Sequence, residues 1–329
     1  MGCTDLNQQL PKFVDYYYLT AFFYPIFSYL TILLIMKILK KNLQLAVFTV
    51  SLSLISLLSV AQNAKSLPVF QENWTWDYQP FRICGNLYYV GTYDLACYLI
   101  TTPQGNILIN TGLAESGAMI RSHIEALGFK FSDIKILLTT HAHFDHVAAM
   151  AEIKKITGAK MMVEEHDAEE LADGDNSDYL FGGKGELFAP VKADRLLHDH
   201  DVVKLGGMKI TVLHHPGHTK GACSFLFKVK DEHRSYQVLI ANMPTIWEMA
   251  KLPEMPTYPN IAKDYTYTFN SMKDLQFDIW LSSHASQFAL HKKHKPGDAY
   301  NPEVFADREG YDALLADLQK KYLEKLNRK

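Results

Sequence analysis

The order of hydrophobic and polar residues divides the chain near residue 62. Before that point, two apolar stretches follow one another closely, at residues 17–36 and 43–60. After it, short β-branched and aromatic runs alternate with longer stretches in which apolar residues recur at helical spacing. This alternation is typical of a layered α/β domain. We therefore expect an N-terminal targeting region over residues 1–62 and one globular domain over residues 63–329.

Within the globular domain, the pattern predicts individual elements. Short apolar runs bounded by turn residues predict strands, at 86–91, 96–101, 106–110, 134–138, 208–213, 238–241 and 279–282. The first three should form an antiparallel meander, and the strand at 134–138 should be central and buried. Helical spacing predicts three helices, at 116–127, 147–156 and 308–326.

The second apolar stretch has the layout of a secretory signal. Met36 is followed by Lys37, Lys40 and Lys41, then by the apolar run and by small residues. This arrangement predicts a signal peptide over residues 36–62, a true start at Met36 and export to the periplasm. The alternative is that Met1 is the true start and that one or both stretches span the membrane, since each approaches the necessary length. The domain would then be anchored with its bulk in the periplasm.

Composition narrows the chemistry. With 48% hydrophobic and 12% aromatic residues, the chain can bury a full core, and its net charge of -3 provides no basic field for nucleic acid. A small-molecule substrate is the better expectation. The chain has 14 histidines and 4 cysteines, and imidazole is typical of catalytic zinc sites whereas thiolate dominates structural ones.

The cysteines at positions 3, 84, 97 and 223 form no CxxC pair. Their wide spacing argues against a disulfide framework and against a structural zinc site. We expect them to be small buried residues. A disulfide between Cys84 and Cys97 remains the alternative for an exported protein.

A dense group of potential metal ligands follows the strand predicted at 134–138. His141, His143, Asp145 and His146 lie within six residues, just before a predicted helix. In such a loop, neighbouring side chains can serve two adjacent metal ions, and zinc accepts both imidazole and carboxylate. A chance cluster of uncoordinated histidines is disfavoured because burying so many titratable groups without a metal is costly.

This segment resembles the HxHxDH motif of the metallo-β-lactamase superfamily. The turn at 216–221 is similar to the family's GHTxG turn, and 281–284 to its last-ligand segment. The resemblance implies an α/β fold, the four-layer αβ/βα sandwich, with two zinc ions per chain. By that resemblance, the ligands are those of subclass B3, with His141, His143 and His218 on the first zinc and Asp145, His146 and His284 on the second.

The other histidines are weaker candidates. His215 is the only rival to His218, but it lies at a strand end and not in the Pro-Gly turn. His214 also flanks that turn. The remaining ones sit among charged residues and are expected on the surface, namely His166, His198, His200, His291 and His294.

Two positions depart from the family pattern. Asn242 stands where glyoxalase II and similar hydrolases have a metal-bridging aspartate, which favours a β-lactamase. The run 241–245 resembles the GOB lineage of subclass B3, although that lineage typically lacks the first motif histidine, which is present here as His141. Asn110 stands where relatives commonly have aspartate, and a neutral amide there should weaken metal affinity modestly or not at all.

The function implied by the resemblance is hydrolysis of the β-lactam amide bond by a metal-bound hydroxide in a monomeric enzyme. Asp145 would be a ligand that also orients the hydroxide. Thr245 would bind the substrate carboxylate beside Met243, with Lys220 as a looser candidate, and Phe181 would belong to a mobile cover at 179–188. The alternatives are a thioesterase, a lactonase or a phosphodiesterase on the same scaffold, or a zinc-binding exported domain without turnover.

Overall fold

The computed structural model describes residues 33–43 and 71–328. The chain divides into two units, Met1–Ser66 and Leu67–Lys329. The part of the first unit that is described is a single helix, α1, over residues 33–43, with exposed side chains. Most of the predicted signal peptide at 36–62 lies outside the described residues. Among the helices that are described, none combines the length and the apolar character needed to cross a membrane.

The second unit contains two β-sheets. The first has seven strands in sequential order, namely β1 (Phe81–Cys84), β2 (Leu87–Tyr89), β3 (Tyr98–Thr102), β4 (Gly105–Ile109), β5 (Ile134–Leu138), β6 (Lys160–Glu164) and β7 (Arg195–Leu197). Its first four strands are antiparallel, as the predicted meander requires, and β4 to β7 are parallel.

The second sheet has the order β12-β11-β10-β9-β8. Its strands are β8 (Val202–Leu205), β9 (Met208–His214), β10 (Cys223–Lys230), β11 (Ser235–Ala241) and β12 (Ile279–Ser282). All neighbours in this sheet are antiparallel except β11 and β12.

Seven further α-helices follow in the second unit. They are α2 (Ser116–Ala126), α3 (Phe144–Val147), α4 (Met150–Thr157), α5 (Ala168–Asp173), α6 (Ile261–Lys273), α7 (Leu290–Lys293) and α8 (Arg308–Leu326).

Alternation along the first sheet explains the layers. On β3, Tyr98 and Ile100 enter one hydrophobic cluster while Leu99 enters the other, because successive side chains of a strand point to opposite faces. The first cluster also contains the apolar residues of the second sheet and of α6 and α8. The second cluster contains those of α2 and α4. The result is the predicted αβ/βα sandwich, with helices outside each sheet.

The prediction of one continuous helix at 147–156 is wrong, because this region contains the end of α3 and most of α4, with a break between them. The carbonyl of His146 accepts the backbone N–H of Thr111 (2.7 Å), so it is engaged by the loop after β4. The N–H of Ala148 donates to the carbonyl of Gly112 in the same loop (3.1 Å) as well as to Phe144. These contacts interrupt a continuous helix and hold the ligand-bearing turn against β4.

Replacing Phe225 tests the packing between the sheets. This side chain lies on β10, is fully buried and pairs in register with Val212 and Ile240. We expect Phe225→Ala to lower the free energy of unfolding by about 3–5 kcal/mol, since a large cavity forms between the sheets. Denaturant titration measures the change. The control is Leu323→Ala on α8, where the side chain is 46% exposed and the expected change is within about 0.5 kcal/mol.

Candidate metal centre

The loop that carries the motif histidines is fixed by Asn110 at the end of β4. Asn110 has a φ of 61°, in the left-handed region that asparagine tolerates better than most residues. Its side-chain oxygen accepts the N–H of Thr140 (3.0 Å) and the hydroxyl of Thr139 (3.2 Å). The amide at 110 therefore acts on the backbone that leads into His141, and its effect on metal affinity stays a prediction.

Three buried imidazoles form the first part of the site. His141, His143 and His218 have ligand atoms within 4.8 Å of one another. Nδ1 of His143 lies 3.1 Å from Nε2 of His218, and the ring centroids of His141 and His218 are 4.7 Å apart. Nε2 of His141 is buried and has no hydrogen-bond partner. The three nitrogens are arranged as a set that can hold one metal ion.

The second part is built around Asp145. Its Oδ2 lies 3.3 Å from Nε2 of His146 and 3.4 Å from Nε2 of His284. The rings of His146 and His284 are 4.9 Å apart, and those of His141 and His146 are 4.2 Å apart. The two groups are therefore adjacent, and together they can hold two neighbouring metal ions.

The turn that presents His218 requires a glycine. Gly217 has a φ of 134°, and a Cβ at this position would lie 2.8 Å from the ring of Tyr265. His218 then directs Nδ1 to the carbonyl of Thr245 (2.9 Å), which also accepts the hydroxyl of Tyr265 (2.8 Å). Burial lowers the pKa of His218 to about 3, so the ring is neutral, as a metal ligand must be.

Two aspartates face imidazoles of these two groups from outside the cluster. Asp94 accepts Nδ1 of His284 (3.2 Å) and the N–H of Ser286 (2.8 Å). Oδ2 of Asp178 faces Nε2 of His143 at 3.5 Å. Burial alone would raise the pKa of Asp94, but the bonds from His284 and Ser286 outweigh it and hold the value at about 2. Asp94 therefore stays ionised beside its histidine.

A third aspartate connects the two ligand loops. Asp167 is completely buried and accepts the N–H of Ala142 (3.0 Å), the hydroxyl of Thr219 (2.7 Å) and the N–H of Gly221 (2.5 Å). Sequence reasoning missed Asp94, Asp167 and Asp178. Each lies in a connecting segment without a motif, so no local pattern indicated its role.

A cavity of about 310 Å³ opens beside the two groups. It is lined by Gln71, Trp74, His141, Asp145, His218, Asn242, Met243, Thr245, Ile246, Trp247, Ser283, His284, Ser286 and Gln287. Thr245 and Met243 are thus brought to the site, and their role in substrate binding stays a prediction. Lys220 does not line the cavity, and its Nζ lies 5.8 Å from the ring centroid of Tyr258.

The segment 179–188, predicted to cover the site, does not present its aromatic side chains to solvent. Tyr179, Phe181 and Phe188 are all buried. Phe181 packs behind the cavity, with its ring centroid 5.1 Å from that of Trp247 and 5.8 Å from that of His143. It packs against His143 and against a wall of the cavity but does not line the cavity.

Other expectations meet mixed outcomes. His215 is buried and pairs with the hydroxyl of Ser224 (2.7 Å), away from the ligand cluster. The surface prediction is wrong for His294, which is buried and stacks on Phe81 at 3.6 Å, and for His291, which is half-buried on Tyr93. Aromatic packing accounts for both.

The cysteines at 84, 97 and 223 are buried and free, so the alternative Cys84–Cys97 disulfide is not formed.

Comparison with known proteins agrees with this geometry. The sequence profile of the Metallo-beta-lactamase superfamily matches residues 92–231. The solved structure of the class B3 di-zinc metallo-beta-lactamase LRA-12 from an Alaskan soil metagenome is 63% identical, with a TM-score of 0.78, and the match covers 80% of this chain and 100% of that one. The chain belongs to class B3 of the metallo-beta-lactamase superfamily.

Two other solved structures and one more distant relative extend this result. A beta-lactamase from Chitinophaga pinensis is 61% identical (TM-score 0.79; 80% and 99% covered), and GOB-18 from Elizabethkingia meningoseptica is 54% identical (TM-score 0.79; 80% and 98% covered). A hydroxyacylglutathione hydrolase from Rhodopseudomonas palustris is 29% identical over 190 residues, 54% of this chain. The chain spans 64% of that hydrolase's length.

The role of Asp94 can be tested by removing its charge. We expect Asp94→Asn to weaken zinc affinity by about 10–100-fold, since partners of ligand histidines fix their tautomer and orientation. Competition with a chromophoric chelator measures the affinity. Asp77→Asn is the matched control, because Asp77 also pairs with a histidine, His123 at 2.8 Å, but not with a ligand. An equal effect of both substitutions would contradict the assignment.

Proposed function

We propose that this protein is a dizinc hydrolase that opens the amide bond of β-lactams. The observation that carries the proposal is the pair of adjacent ligand groups beside one cavity. The 63% identity to a class B3 di-zinc metallo-beta-lactamase supports the same reaction. The substrate is a small molecule, as the charge of the chain led us to expect.

The residues present fit two zinc ions. Nε2 of His141 and both ring nitrogens of His146 are buried without a hydrogen-bond partner, and each unsatisfied polar group costs about 1–3 kcal/mol. Coordination would remove that cost, and five imidazoles with one carboxylate are a ligand set that zinc accepts. The proposed first set is His141, His143 and His218, and the second is Asp145, His146 and His284.

Zinc in such a site lowers the pKa of water to about 7 and polarises a carbonyl oxygen. The chain's own residues supply the positioning. Asp94 holds His284 through a hydrogen bond, Asp178 faces His143 at 3.5 Å, and Thr245 holds His218 through its carbonyl. Asp145 lines the cavity, so we assign it the roles of ligand and orienter of the attacking water.

The substrate carboxylate needs donors, and the cavity offers neutral ones. No lysine or arginine occurs among its lining residues within the part of the chain that the structure describes. Thr245 is half-buried at the cavity wall, next to the apolar side chain of Met243. Because Nδ1 of His218 is engaged by the Thr245 carbonyl, we propose that the Thr245 hydroxyl donates to the substrate carboxylate.

Asn242 favours β-lactams over thioesters. It is 2% exposed, lines the cavity and has an Nδ2 without a partner. A neutral amide cannot supply the anionic bridge between metals that the resemblance assigns to glyoxalase II-like hydrolases. Those relatives are also the more distant ones, at 29% identity.

We also propose that the enzyme acts as a monomer in the periplasm, after removal of residues 36–62. The basic, apolar and small-residue order of that segment supports export. Mass spectrometry of protein from the periplasm of a Gram-negative host should give a mature chain beginning near Asn63. A full-length chain retained in the inner membrane would contradict this.

Metal removal tests the reaction. We expect hydrolysis of a cephalosporin and a carbapenem to stop on treatment with a chelator and to return with zinc. His143→Ala should lower kcat/KM more than about 100-fold, because it removes a ligand. The exposed His233→Ala is the matched control. Efficient cleavage of S-lactoylglutathione with both β-lactams left intact would overturn the β-lactamase proposal while leaving the metal sites standing.

Substitution of Thr245 tests substrate binding separately. We expect Thr245→Ala to raise KM more than it lowers kcat, provided the hydroxyl binds the carboxylate equally in ground and transition states. Thr245→Ser keeps the hydroxyl and should stay close to the parent enzyme. If Thr245→Ala changed zinc content instead of KM, the hydroxyl would act on His218, which it also approaches at 3.1 Å.

A further inference from the structure

A second cluster of histidines and a carboxylate lies apart from the metal centre. It consists of Glu164 at the end of β6, His166 in the following turn and His214 at the end of β9. Their ligand atoms lie within 4.8 Å of one another. Neither the sequence motifs nor the proposed function uses these residues.

The two imidazoles converge on one carboxylate. Nδ1 of His166 and Nδ1 of His214 each lie 3.1 Å from Oε1 of Glu164. Oε2 of Glu164 accepts the backbone N–H of His166 (2.8 Å), which fixes the carboxylate. On the other side, the backbone N–H of His214 donates to Asp199 (2.9 Å). Both the carboxylate and the backbone of β9 are therefore held in place.

One imidazole nitrogen of this cluster is left without a hydrogen bond of good geometry. Nδ1 of His214 is buried, and despite its short distance to Glu164 it has no hydrogen bond of good geometry. Glu164 is 2% exposed, whereas the His166 side chain is 52% exposed. Two imidazole nitrogens and one carboxylate oxygen are a ligand set typical of zinc, and the exposed ring of His166 places this set at the surface.

We propose that Glu164, His166 and His214 form a third site for a divalent transition metal, with zinc as the expected ion. The site goes beyond the proposed function, since none of its residues belongs to the dizinc centre. Glu164 ends a strand of the first sheet and His214 ends a strand of the second. A metal ion here would join the two sheets. Glu164 also lies three residues before Asp167, whose carboxylate holds both loops of the dizinc centre.

Zinc counting tests the proposal with the full protein. The protein is stripped with a chelator, reloaded with zinc, freed of unbound metal and measured by mass spectrometry for zinc per chain. We expect one zinc fewer in His166→Ala than in the parent protein. His198→Ala is the matched control, because His198 is a neighbouring exposed histidine that pairs with Glu165 and not with Glu164. It should keep the parent count.

Two further readouts separate this site from the catalytic one. Added zinc should raise the Tm of the parent protein, already holding its two catalytic ions, and should not raise that of His166→Ala. The parent protein and His166→Ala should hydrolyse β-lactams equally well. If the proposed function were wrong, neither protein would hydrolyse β-lactams, but the two would still differ by one zinc per chain. Equal zinc counts in the parent protein, His166→Ala and a second variant, His166→Gln, would overturn the proposal.

Discussion

The geometry of the metal centre depends on the hydrogen bonds that the Asp167 carboxylate accepts. The motif loop follows β5 in one sheet, and the turn that carries His218 follows β9 in the other. Asp167 bonds to Ala142 in the first and to Thr219 and Gly221 in the second. Metal ligation demands distances correct to about 0.2 Å, which two independently placed loops would not ensure. Because one buried carboxylate accepts hydrogen bonds from both loops, it fixes their positions relative to each other.

Much of the fold was predictable because its pattern is local. The bounds of β5, β12 and α8 are as predicted, since the two strands are apolar runs with clear ends and α8 is long enough to show helical spacing. Five strands, β1, β6, β7, β8 and β10, were not predicted. Four of these are only three to five residues long. Two of the four, β6 and β7, pair with strands that lie more than 20 residues away along the chain, and β1 and β8 form hairpins with the strand that follows each of them. The longer β10 alternates along its length and carried a signal that sequence reasoning did not use.

The candidate site shows the same division. The ligands inside the motif are adjacent in sequence, so spacing alone brings them together. Asp94 and Asp178 reach their histidines across 190 and 35 residues of chain, and only the tertiary structure makes them partners. His294 was expected on the surface because its sequence neighbours are charged, yet its ring stacks on Phe81 from a distant strand. Local charge did not determine burial there.

Helix α6 supports two parts of the site at once. The ring of Tyr265 packs against Gly217 and its hydroxyl bonds to the carbonyl of Thr245, while Thr268 donates to the carbonyl of Pro216 (2.7 Å). The turn that carries His218 and the loop that carries Thr245 are therefore both held in place by contacts with α6. Because α6 contacts both segments, a substitution that displaced this helix would disturb His218 and Thr245 together.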